Sequence, residues 1–206
     1  MALFITFEGG EGSGKSFQVK ELYRRLLQLA IPALLTHEPG GTPFGKKLAR
    51  WLKWAQGIDI SPLTELMLFN ASRAQLVAEV IQPGLESGKV VISDRYTDST
   101  TAYQGYGRGL DLEMVRATNN AATQGLKPDL TILLDISAEE GFARKKAKSR
   151  DRFEQEALAF HRRVREGYLE LARAEPERWL VVDASQAKRK ITKIIWQRVS
   201  QLLSRG

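Results

Sequence analysis

The run Gly9-Gly10-Glu11-Gly12-Ser13-Gly14-Lys15-Ser16 matches G-x-x-x-x-G-K-[ST] in full, and no other stretch restricts the fold of this chain as tightly. Glycines let a loop take positive φ, so that successive amide N–H groups point inward at phosphate oxygens. The flanking residues supply the context this chemistry needs. Leu3-Phe4-Ile5-Thr6-Phe7 is β-branched and aromatic and reads as a strand. From Lys15 to Leu29 the apolar residues Val19, Leu22, Leu26 and Leu29 recur at helical spacing. Strand, glycine loop and helix together make an anion cradle, because the helix opening at Lys15 aims its positive dipole end at the loop. Gly9, Gly10, Glu11, Gly12, Ser13 and Gly14 are then the expected ATP-binding loop, Lys15 reaches the β and γ phosphates, and the Ser16 hydroxyl sits on Mg2+. A guanine-specific switch would carry an Asn-Lys-x-Asp element, whereas Asn119-Asn120 here runs on into alanines.

The rest of the chain alternates strand and helix signals. Ala33-Leu34-Leu35-Thr36, Val90-Val91-Ile92-Ser93-Asp94, Leu130 to Asp135 and Trp179 to Asp183 are short apolar runs without alternation, the pattern of parallel strands covered on both faces. Helices are expected from about Phe44 to Trp54 and from Ser61-Pro62, an N-cap followed by proline at the first helical position, to about Ile81. Five such strands with helical crossovers predict an α/β fold, a P-loop NTPase-type doubly wound sheet of five parallel strands with helices on both faces. The 206 residues suit a single domain, without repeat or linker. The one compositional break is the basic stretch Arg144 to Arg152, expected as a mobile lid at about 143–155. The alternatives to a lid are a solvated charge run or a nucleic-acid patch.

Composition removes several alternatives. The absence of cysteine excludes a disulfide framework, a thiol nucleophile and a Cys-bearing zinc site, and two histidines leave little for a His-rich one. No apolar run reaches the ~18 residues of a membrane span, and Leu3–Phe7 is too short and lacks the basic flank of a signal peptide, so a cytoplasmic protein is expected. The net charge of +7 fits nucleic acid or polyphosphate substrates.

Candidates for a second substrate lie after the strands, where ligands bind in doubly wound sheets. Asp94 is placed to organise magnesium and its water, and Arg95 to clamp a phosphate with its planar donor fork, although an Asp–Arg pair also simply closes a strand. Glu38 precedes Pro39-Gly40-Gly41 and would face the same crevice, unless this is only a turn. Phe69 and Arg73 are four apart and share a helix face, as a stacking ring and an edge-reading guanidinium or as ordinary packing. Ser99 to Gly105 offers hydroxyls, a phenol and an amide, or a polar helix start.

The loop Gly9–Ser16, Glu38-Pro39-Gly40-Gly41-Thr42, Ser72-Arg73-Ala74-Gln75, Asp94-Arg95-Tyr96 and Ala102-Tyr103-Gln104-Gly105, in this order over nearly the whole chain, resemble the thymidylate kinase family of the bacterial type. The resemblance implies transfer of a phosphoryl group from ATP to dTMP with Mg2+, for dTTP synthesis, by a homodimer acting on small-molecule nucleotides rather than on nucleic acid or a membrane. It implies that Phe69 stacks on thymine, Arg73 bonds its O4, and Thr100 and Gln104 reach its polar edge. Tyr103 would lie beneath the deoxyribose. Arg95, helped by Arg50, would hold the acceptor phosphate, with Glu11 and Glu38 near the sugar and its metal or water. One branch of the family has an arginine at the position of Gly12. Its absence here implies a catalytic cation from the basic stretch, with Arg150, Arg152 and Arg144 as candidates. The residue before Glu38, often arginine in the family, is His37.

Overall fold

The computed structural model describes residues 2–54, 58–144 and 151–204. Its elements follow in the order β1 (Leu3–Glu8), α1 (Lys15–Gln28), β2 (Ala33–His37), α2 (Pro43–Trp54) and α3 (Pro62–Leu76). The last of these runs on through a π-helical turn, Val77–Ile81, into α4 (Gln82–Glu86). Then come β3 (Val90–Asp94), α5 (Thr97–Thr100), a π-helical stretch Thr101–Gly107, α6 (Leu112–Thr123), β4 (Leu130–Asp135), α7 (Ala138–Arg144), α8 (Leu158–Ala174), β5 (Trp179–Asp183) and α9 (Lys188–Leu203).

The five strands pair in parallel in the order β2-β3-β1-β4-β5. Every residue of β1 is buried, which explains why its sequence shows no alternation: both faces are covered. Leu3, Ile5 and Phe7 point to one face, where they meet Val19, Leu22 and Leu26 of α1 and Ile191, Ile195 and Val199 of α9. On the other face Phe4 and Val91 meet Leu76, Val77 and Ile81, while Leu133 meets Ala102, Tyr103 and the α8 residues Phe160, Val164 and Tyr168. Among the described residues no helix is long and apolar enough to cross a membrane.

The register decides where the chemistry collects. Phe7 pairs with Asp94, and Asp94 with His37, so β1, β2 and β3 release their chains at one level. The phosphate loop, the Glu38 turn and the Asp94-Arg95 pair therefore emerge side by side at one edge of the sheet. The segment after β3 departs from ordinary helix: Thr101–Gly107 is π-helical, a widened geometry frequent at functional sites. The basic residues Lys145 to Arg150 of the expected lid, Arg150 included, lie outside the described residues.

Candidate active site

The loop after β1 is shaped by its glycines. Gly9, Gly12 and Gly14 all take positive φ, at 135°, 67° and 87°. Gly12 has a second constraint: a Cβ there would lie 2.0 Å from the carbonyl oxygen of Gly141 on α7, and a Cβ on Gly141 would lie 2.2 Å from the oxygen of Glu11. Loop and helix meet backbone to backbone, and no side chain fits between them. Lys15 turns back on the loop, donating to the oxygens of Gly9 at 2.7 Å and Gly10 at 2.9 Å. Burial, then the charge of Arg95, lowers its ammonium to about 8, against the pull of Glu11, Asp94 and Glu8. Ser16 Oγ donates to Asp94 Oδ2 at 3.1 Å, which joins the start of α1 to the end of β3.

Arg95 stands between this loop and a crevice lined by Glu11, Glu38, Phe69, Tyr103 and Phe153. Its backbone is left-handed, at φ 75°, and its amide donates to Phe7 O at 2.9 Å. The guanidinium is held from two sides. Nη1 donates to Ser99 Oγ at 3.0 Å and Tyr168 OH at 3.1 Å, and Nη2 to Glu11 Oε1 at 3.2 Å. Behind these hydroxyls sits Glu8, whose Oε2 accepts from Ser99 and from Tyr168 at 3.0 Å and whose Oε1 accepts from the Tyr96 amide at 2.8 Å. Burial of Arg95 disfavours its charge, but Tyr103, Tyr168, Glu11 and Glu8 outweigh that effect and keep it a cation.

The far end of the crevice is walled by rings. Phe69 and Phe153 stand 5.6 Å apart, and Tyr103 lies 6.1 Å from Phe153. Thr100, Gln104 and Arg73 line the same space. Arg73 is 1% exposed, and each of its nitrogens is already bonded. Nε donates to Glu38 at 2.8 Å, Nη1 to Asn70 at 3.2 Å and Asn119 at 2.9 Å, and Nη2 to Thr100 Oγ1 at 2.7 Å and Tyr96 O at 3.3 Å. The Glu38 contact is a buried ion pair, so Glu38 serves Arg73 first; burial still raises its carboxyl above the usual range. A base oxygen approaching Arg73 has to share a donor rather than find a free one.

Of the residues expected from sequence, Glu11, Glu38, Phe69, Arg73, Arg95, Thr100, Tyr103 and Gln104 come together around this one crevice. Two do not. Arg50 is exposed on α2 in a separate surface groove with Trp51, Trp54 and Ile58, and Lys53 lines the crevice in its place. A turn of helix separates them, and sequence alone does not tell which cation points inward. Arg152 is not at the phosphate loop: its Nη2 binds Glu65, its Nε donates to Leu52 O at 3.1 Å, and its guanidinium lies 4.7 Å over the Phe153 ring. Arg144 donates to Ala184 O at 2.8 Å. Sequence reasoning missed Glu8, Lys53, Asn119, Phe153 and Tyr168. The one legible signal among them was Glu8, a carboxylate ending a strand otherwise apolar.

A parallel sheet ordered 2-3-1-4-5, with a glycine phosphate loop after its first strand, defines a P-loop nucleotide-binding protein of the α/β class. A family model described as Thymidylate kinase matches residues 7–195. The chain is 56% identical over 203 residues to a thymidylate kinase of Dehalococcoides mccartyi, covering 98% of each, and 51% identical over 201 residues to one of a Synechococcus strain, covering 98% of this chain and 96% of the other. A solved thymidylate kinase from Ehrlichia chaffeensis superposes with a TM-score of 0.75 at 32% identity, covering 98% of both chains. The chain belongs to the thymidylate kinase family.

Proposed function

We propose that this chain transfers the γ-phosphoryl group of ATP to dTMP, giving ADP and dTDP for dTTP synthesis, with ATP on the Gly9–Ser16 loop and dTMP in the Arg95–Phe153 crevice. The observation that supports this reading best is Arg95, which joins the two: its Nη2 bonds Glu11 of the loop and its Nη1 is fixed by Ser99 and Tyr168 at the crevice. Phosphoryl transfer asks little covalent work of a protein and depends on positioning and on neutralising spread negative charge.

In this reading the loop amides and Lys15 hold the ATP phosphates, Arg95 holds the acceptor phosphate, and Tyr103 packs beneath the deoxyribose. The pyrimidine lies between Phe69 and Phe153, with Arg73, Thr100 and Gln104 at its polar edge. Lys53 supplies the second cation expected of Arg50. Ser16 and Asp94, two oxygens bonded to each other at the loop, fit Mg2+, which takes few protein oxygens and completes its shell with phosphates and water. When bound there the ion neutralises phosphate charge. Gly12 brings no cation, so one is assigned to the basic stretch, with Arg144 and Arg150 as candidates. The chain is read throughout as one nucleoside monophosphate kinase domain.

The second copy of a homodimer is assigned to α2 and α3, where Phe44, Trp51, Trp54, Leu63 and Met67 are all exposed, Trp51 by 60%. Exposed apolar side chains of this size on two helices packed together fit a protein interface rather than open solvent. A coupled ADP-release assay across dTMP, dUMP, AMP and CMP tests the reaction. dTMP is expected to be the preferred acceptor, and turnover of AMP without dTMP would overturn the assignment.

A further inference from the structure

The base end of the crevice rests on a side chain that the mechanism above does not use. Glu65 on α3 is wholly buried behind the crevice wall. Three donors converge on its carboxylate. Gln104 Nε2 donates to Oε1 at 2.7 Å, Arg108 donates Nε to Oε1 at 3.2 Å and Nη2 to Oε2 at 3.3 Å, and Arg152 Nη2 bonds Oε2. Both arginines are themselves held. Arg108 binds Glu156 at 2.5 Å and lies 4.8 Å over the Phe160 ring, while Arg152 is fixed by Leu52 O and the Phe153 ring.

A carboxylate ion-paired to two guanidiniums offers acceptors and has no proton to give. Of the two ends of an amide, only the NH2 end can face it. Gln104 is therefore locked: Nε2 points to Glu65, and Oε1 is turned away from it, with no donor among the described residues. Gln104 lines the crevice, so the group it can offer a bound base is an oxygen. Thymine and uracil carry an N–H at ring position N3, a donor that suits an oxygen. Cytosine carries a lone pair at N3, and two acceptors would then face each other.

We propose that Glu65, without touching the base, sets the pyrimidine selectivity of the acceptor site by fixing which end of the Gln104 amide faces the crevice. This rests on the reading of the crevice as the dTMP site. Glu65 is a positioning residue; Arg108 and Arg152 act through it. It also gives Arg152 a task at the base end of the crevice, in agreement with its distance from the phosphate loop.

The test compares kcat/KM for dTMP and dCMP in the wild type, Glu65→Gln and the double variant Glu65→Gln/Gln104→Glu. An amide at position 65 can accept or donate, so it no longer dictates the orientation of Gln104. The dTMP-to-dCMP ratio is expected to fall by about 10-fold or more in Glu65→Gln, through KM for the acceptor, with KM for ATP unchanged. In the double variant the amide at 65 donates to a carboxylate at 104, which still offers an oxygen to N3–H, so the preference for dTMP should return. A purely structural role would lower activity on both acceptors and leave the ratio alone. A folded Glu65→Gln that keeps the wild-type ratio would overturn the inference and leave the kinase reading intact. A wild type with no preference for dTMP would instead overturn that reading. The double variant preserves both volume and charge and covers the case in which Glu65→Gln alone does not fold: it should fold and prefer dTMP, and loss of that preference would overturn the inference.

Discussion

At the phosphate loop the chemistry is presented by backbone, whereas at the base end of the crevice it is presented by side chains that hold one another. The loop needs glycine where φ is positive and where α7 comes within a Cβ of it, and its amides do the rest. The base end needs partners drawn from distant parts of the chain. Gln104 is oriented by a residue 39 positions away, Arg73 by one 46 away, and Glu8 accepts from Tyr168 across 160 positions. The first arrangement is intolerant of a single added carbon. The second fails piecemeal, as one partner after another is removed. Arg95 belongs to both, and it is where the difference is sharpest to test.

Arg95→Ala should produce the largest effect, a loss of turnover of about 10³-fold or more, since it removes the cation expected on the acceptor phosphate. ATP binding, followed by calorimetry, should remain close to wild type. Gly12→Ala is the mirror experiment. The added Cβ meets the Gly141 carbonyl at 2.0 Å and imposes a left-handed conformation that costs roughly 1–2 kcal/mol. Turnover should fall by about 100-fold, and ATP affinity should fall with it. Normal ATP affinity in Gly12→Ala, or lost affinity in Arg95→Ala, would break the division between the two regions.

The same division explains what the amino-acid sequence reveals. The loop was legible to the residue because its requirements are local: a strand, glycines at fixed spacing, a helix start. The five parallel strands were legible because burial on both faces writes an unbroken apolar run, and α3 because Ser61 caps it, its Oγ accepting from the Thr64 amide at 3.2 Å. Phe69, Arg73 and Gln104 were legible as crevice candidates, but their partners were not. Glu65 reads as one more acid on a helix, Asn119 as one more polar residue on α6, and Phe153 as an isolated ring after a charge run. Arg50 and Lys53 are both cations on α2, and only the packing of α2 against α3 turns Lys53 inward. Arg152 was misplaced for the same reason. Its charge suggested phosphates, while its fold neighbours are Glu65 and Leu52.

A smaller effect is expected where the base end is held by a ring alone. Phe153→Ala removes the partner of Phe69 at 5.6 Å and the surface on which Arg152 lies. KM for dTMP should rise about 10-fold, and stability should fall by about 3 kcal/mol as for other buried phenylalanines, with KM for ATP unchanged. A matching rise in the KM for ATP would show that the two regions are coupled through this ring.

The effect with the least bearing on rate concerns Glu8, beneath Arg95, and is read in stability. Burial first, and then the nearby charge of Asp98, raises its carboxyl from 4.5 to about 7, against Arg95, Ser99 and the Tyr96 amide. Because the folded value lies above the unfolded one, the folded chain holds a proton that the unfolded chain has released. The resulting stabilisation is complete below the unfolded value and is lost as pH rises through about 7. A rise of this size is worth on the order of 3 kcal/mol. In a chain of this length that corresponds to several degrees, at about 2–4 °C per kcal/mol. Glu8→Gln cannot ionise, so its melting temperature should lack this component. Between about pH 5 and pH 8 the wild type should lose several degrees relative to the variant, measured by calorimetry in matched buffers. Parallel curves across that range would place the Glu8 proton elsewhere. The Ser99 and Tyr168 hydroxyls would then be held by a permanently charged carboxylate, and the grip on Arg95 would be independent of pH.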